Sequence, residues 1–145
     1  MINKLRVRAQ SESGFTLVEL LVVMLILGLL AAIAIPAFFN QRDKAADAEA
    51  KSTAKTTQTA METYATDNNG KYTGATVALL QEIEPTIPDA PVVALVPAPT
   101  DTGYSIDVSS TVAGQAFSIY RTAGALSYPC TASGKGGCPA GGWGG

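Results

Sequence analysis

The chain has 145 residues, 10 Lys and Arg against 12 Asp and Glu, a net charge of −2 and no histidine. That length suits one small domain, and the lack of histidine excludes Ser-His-Asp and Cys-His catalysis and removes the commonest metal ligand. From Phe15 onward there are 7 basic and 11 acidic residues, which disfavours phosphate contacts, so no specific nucleic acid is expected as a partner.

Residues 1–14 are polar and basic, with Lys4, Arg6 and Arg8 against Glu12. Residues 15–39 form an apolar run with a single charge, Glu19. As a helix the run spans about 37 Å, enough to cross a hydrocarbon core of about 30 Å. The basic flank keeps residues 1–14 cytoplasmic and places residues 40–145 outside. The run is longer than the apolar core of a secretory signal, about 7–15 residues, so it is expected to be retained. Within hydrocarbon, Glu19 costs several kcal/mol unless something neutralises it. One reading is local: Thr16-x-x-Glu19 is a capping box. The other is a cationic partner on a second helix, which would tie the charge to assembly. Gly28 and Pro36 interrupt the run, either as tolerated residues or as weak points of the helix.

The helical pattern continues from Asn40 to about Thr66, with Ala46, Ala50, Ala54, Met61 and Tyr64 as an inward stripe. Asp47 and Lys51 read as a favourable i,i+4 pair. Asn69-Gly70 supplies the left-handed residue that ends the helix, and the DNNG sequence lacks the acid that a calcium loop would need at Ala65. The stretch 52–59 is rich in Ser and Thr, and no N-x-[ST] site is present.

Residues 71–101 are a loop region with Pro85, Pro88, Pro91, Pro97 and Pro99. A short helix, Val77 to Ile83, fits inside it, with Thr76 as N-cap and Leu79, Leu80 and Ile83 facing inward. Glu82 and Glu84 read as solvated loop charges. Tyr104, Ile106 and Val108 alternate with polar residues, as do Phe117 and Ile119 after the Val112-Ala113-Gly114 turn. Leu126 and Tyr128 mark a further strand after Ala123-Gly124. Cys130 and Cys138, at an exported end, read as one disulfide; the alternative is two buried free thiols. Without a histidine or a second cysteine pair they do not suit zinc. No phosphate-binding glycine loop is present, so no cofactor is expected. Trp143 is either an anchor on the cysteine loop or an exposed contact residue.

The predicted fold is α+β: a long N-terminal helix, membrane half plus amphipathic half, packed on an antiparallel meander of three to four strands. The order Gly14, then Phe15-Thr16-Leu17-Val18-Glu19-Leu20-Leu21, then a long apolar run closely resembles the N-terminus of type IV pilins and pseudopilins, over residues 11 to about 42. The rest of the chain is similar to that family in architecture alone. The resemblance implies a leader at 1–14, an assembly helix at 15–39 and an exported domain at 40–145. It implies cleavage by a prepilin peptidase between Gly14 and Phe15, N-methylation of Phe15, and pairing of Glu19 with the Phe15 amine of a neighbouring subunit. It also implies that the stretch between Gly28 and Pro36 loosens in a filament and that the Cys130–Cys138 loop faces outward.

The leading expectation is therefore a non-enzymatic major subunit of a type IV pilus. The precursor would sit in the inner or cytoplasmic membrane and polymerise with copies of itself into a surface filament, driven by an assembly ATPase and a membrane platform. The alternative is a pseudopilin of a type II secretion system, or a minor or competence pilin.

Overall fold

The computed structural model describes residues 14–144; Lys4, Arg6, Arg8 and Glu12 of the basic leader lie outside the described residues. One compact unit runs through Ala37 and a second begins at Phe38. Helix α1, Leu17–Asp67, contributes residues to both.

In the first unit, the helical residues Leu17 to Ala37 are exposed apart from the half-buried Ala31. This part of α1 is long and apolar enough to cross a membrane. Gly28 and Pro36 both lie within the helix, which is continuous across them.

In the second unit, α1 ends as its sequence dictates. Asn69 and Gly70 adopt φ of 57° and 78°, and the Gly70 amide returns to the Ala65 carbonyl at 2.7 Å. The same carbonyl also accepts from Asn68 N at 3.1 Å, so two amides close the helix end. Helix α2, Val77–Ile83, is capped by Thr76 Oγ1, which accepts from Leu79 N at 3.3 Å. Four antiparallel strands come next, in the order β1 (Val93–Ala94), β2 (Tyr104–Ser109), β3 (Ala116–Thr122) and β4 (Ala125–Ser127). Ile106 pairs with Ile119 and Val108 with Phe117. All four side chains are fully buried because strand alternation places them on one face. They join one core with Ala50, Ala54, Met61 and Ala65 of α1, Leu80 of α2, and Tyr72, Ile87 and Val93. Small helix residues face large strand residues across that core.

Three expectations need correction. The inward stripe of α1 begins at Asp47 rather than at the half-buried Ala46. Tyr64 stands at its rim, where its hydroxyl donates to the Thr73 carbonyl at 3.3 Å. Of the three α2 residues predicted to face inward, only Leu80 is buried; Leu79 and Ile83 are each 37 % exposed. Two turns give this helix one narrow inward stripe, which Leu80 fills with the half-buried Val77 beside it. The last strand is exposed throughout, Leu126 included, and Tyr128 reaches the core from beyond its end. Glu84 is the solvated loop charge its position predicts, and it accepts from Thr86 N and Thr86 Oγ1, which hold its carboxyl below the usual range. Strand β1 lies inside the proline-rich stretch, where two residues flanked by Pro91 and Pro97 leave no alternation to read.

Candidate functional site

Gly14 and Phe15 precede the helix, and Phe15 is 78 % exposed. Among the described residues, the first helical turn is capped by Thr16. Its hydroxyl accepts from Glu19 N at 3.2 Å and its carbonyl from Leu20 N at 3.2 Å. The capping box is therefore half formed, because among the described residues no donor reaches the Glu19 carboxylate. Glu19 lies about one turn from Phe15, exposed and surrounded by apolar side chains. A carboxylate so placed is available to a partner outside this chain.

Within the second unit, two acidic residues of α1 organise the domain. Asp47 does not pair with Lys51, although their spacing predicts it. It is 1 % exposed, with Oδ1 accepting from Ser110 Oγ at 2.9 Å and Oδ2 from Gly137 N at 2.7 Å. Lys51 instead places its ammonium 5.1 Å from the centre of the Phe117 ring. Asp47 falls in phase with Ala50, Ala54, Thr57 and Met61, and that phase was the available signal for its burial. A charge enters the core here because two donors meet it.

Glu62 is the second. It accepts from Tyr72 Oη at 2.8 Å, Tyr104 Oη at 2.7 Å and Arg121 at 2.9 Å. The Arg121 guanidinium lies 5.5 Å from the centre of the Tyr72 ring. Burial, with Glu62 beside it, pushes the Tyr104 phenol well above its ordinary pKa and the Tyr72 phenol in the same direction.

The C-terminal segment folds onto β3 and α1. Cys130 and Cys138 form a disulfide with Cα atoms 5.8 Å apart. The Cys130 side is held by β3: Ser118 N donates to Pro129 O and Thr131 N to Ala116 O, both at 3.0 Å. The Cys138 side is held by Asp47, and by Gln115, whose Nε2 donates to Lys135 O at 3.1 Å and whose Oε1 accepts from Ala132 N at 3.2 Å. Glycines are required at this approach. A Cβ on Gly136 would meet Asp47 Oδ2 at 2.6 Å, and one on Gly137 would meet Asp47 Cβ at 2.7 Å. Trp143 resolves as an anchor: its Nε1 donates to Pro129 O and Ser118 O, and its ring packs edge-on against Phe117 and Tyr128. Lys55 covers the group, 3.9 Å from the centre of Tyr128. Among the described residues, no group of three or more His, Cys, Asp or Glu side chains converges.

The family model of the prokaryotic N-terminal methylation motif matches residues 10–35. The chain is 41% identical over 59 residues to the type II secretion system core protein G of Pseudomonas aeruginosa, covering 41% of this chain and 42% of that protein. It is 37% identical over 62 residues to the protein of the same name from Klebsiella michiganensis, covering 43% and 44%. It is 45% identical over 51 residues to the type IV major pilin protein PilA of Myxococcus xanthus, covering 35% and 23%. The chain thus spans less than half the length of these relatives. No solved structure matches it.

Proposed function

We propose that this chain, a member of the prepilin-type family of pilins and pseudopilins, is a structural filament subunit of the pseudopilin kind, serving a type II secretion apparatus. The observation that carries the reading is the likeness to core protein G of two organisms, each over about 60 residues, beside the N-terminal methylation motif of this chain. This reverses the order of the two expectations drawn from the sequence. The major pilin remains the second reading, favoured by the 45% identity to PilA.

In either filament the N-terminus works in the same way. A prepilin peptidase cuts between Gly14 and Phe15, where a glycine before the helix leaves the backbone open to attack. The new Phe15 amine is methylated. The chain waits in the inner or cytoplasmic membrane, anchored by the apolar part of α1. On assembly by an ATPase and a membrane platform, the Phe15 ammonium of one subunit meets the Glu19 carboxylate of another. Each charge is costly alone in a low-dielectric bundle and tolerable when paired, so the pair favours association and sets axial register. The Thr16 cap supports this reading, because it closes the helix start without using the Glu19 carboxylate. The role is structural, without catalysis of its own.

The test is a deletion strain scored for secreted proteins and for sheared surface fibres. Loss of secretion with fibres intact supports the pseudopilin. Loss of fibres with secretion intact supports the major pilin. Met1 still attached to the chain recovered from assembled filaments overturns both.

A further inference from the structure

The two cysteines stand on different supports. Cys130 is bridged to Phe117 of β3, and its neighbours hydrogen-bond the same strand. Cys138 is buried, and its loop hangs from α1 through the bond from Gly137 N to Asp47. The disulfide therefore joins a half held by β3 to a half held by Asp47 of α1 and by Gln115, and Asp47 and the cystine restrain the same short loop. We propose that Asp47 and the Cys130–Cys138 disulfide are thermodynamically coupled, so that oxidation tightens the C-terminal loop onto helix α1 and the helix in turn holds the cystine closed.

Linkage requires the effect to be reciprocal. If the closed cystine favours the Asp47 bond by some factor, that bond favours the closed cystine by the same factor. Closing the cystine converts two thiols to one disulfide with loss of two protons and two electrons. With oxidised glutathione as oxidant, a mixed disulfide forms first, the second cysteine displaces glutathione, and two glutathione thiols are released. Asp47 takes no part in the electron transfer. It holds Gly137, and with it Cys138, where the Cys130 sulfur can be reached, which raises the effective concentration of one thiol at the other. The glycines at 136 and 137 are the counterpart of this role, since a side chain at either would push the loop off the carboxylate. The coupling lies within the exported domain and is independent of which filament the chain serves.

Two measurements on the full-length chain in detergent micelles test it. In the first, no residue is changed: amide hydrogen exchange at Gly137 is compared before and after reduction with dithiothreitol. Exchange should accelerate by about tenfold or more on reduction; an unchanged rate overturns the proposal. In the second, the dithiol–disulfide equilibrium is set in glutathione buffers. Asp47→Ala should shift it about tenfold toward the dithiol, the factor set by one charge-assisted hydrogen bond. Leu80→Ala, a core change outside the loop, should leave it in place. A shift of less than twofold for Asp47→Ala, or an equal shift for Leu80→Ala, overturns the coupling. The first measurement stands even if Asp47→Ala fails to fold.

Discussion

Tyr104 Oη of β2 donates to Glu62 Oε1 of α1 at 2.7 Å, joining strand to helix across 42 positions of sequence. Tyr72 and Arg121 bond the same carboxylate, so one half-exposed side chain gathers three donors from three parts of the domain. Glu62→Ala strands those donors together. The cost should be about 1–2 kcal/mol, at the lower end for a charged hub because water still reaches it. Glu62→Gln retains an acceptor oxygen and should lose less. Thermal unfolding followed by circular dichroism ranks the variants, and equal midpoints for wild type and Glu62→Ala would reject the hub.

The same hub predicts an alkaline limit. Burial, and then the bond to Glu62, raise the Tyr104 phenol in the folded state. The unfolded tyrosine titrates near 10, so the folded state binds the proton more tightly. The resulting stability is fully present below about pH 10 and is lost as pH rises from there toward the folded pKa. Tyr104→Phe should flatten that decline while costing some stability at neutral pH. Denaturant midpoints collected across this range decide it, and an unchanged alkaline slope in the variant would count against Tyr104 as its source.

Ala123 and Gly124 form the two-residue turn between β3 and β4, with φ of 49° and 85°. Two positive φ values in succession mark the hairpin turn that favours Asn-Gly. Alanine in the left-handed region is strained by about 1–2 kcal/mol, and its Cβ makes no gain in return. Ala123→Asn should therefore stabilise the domain by about 1 kcal/mol. A midpoint at or below that of wild type would contradict this.

Glu19 and Thr16 separate assembly from capping. Glu19→Gln keeps size and hydrogen bonding but loses the charge. It should insert and be cleaved, yet assemble poorly, if an intersubunit charge pair is its role. Thr16→Ala removes the hydroxyl that caps the helix, at about 1 kcal/mol, and should leave assembly largely intact. Processing is read by mass spectrometry of the N-terminus and assembly by filament yield. Normal filaments from Glu19→Gln would refute the charge pair.

Features that rest on neighbouring residues were legible in the sequence. Thr76 caps Val77–Ile83 because a hydroxyl at that position meets an open amide two or three residues on. Asn69-Gly70 ends α1 because both residues accept positive φ at little cost. Ile106, Val108, Phe117 and Ile119 were legible as core because strand alternation is local. The N-terminal segment was legible for the same reason: its glycine, lone carboxylate and apolar length lie within one stretch of chain. The fate of the charges on α1 emerged only in the folded chain. The i,i+4 spacing pairs Asp47 with Lys51, yet its donors, Ser110 and Gly137, come from 63 and 90 residues away. Glu62 likewise draws Arg121 from 59 residues away. Strand β1 was hidden for a related reason, since two residues make a strand only when β2 lies alongside to pair with them. Local rules set water as the alternative partner for every polar group. Folding replaced that water with groups whose positions no short stretch of sequence specifies.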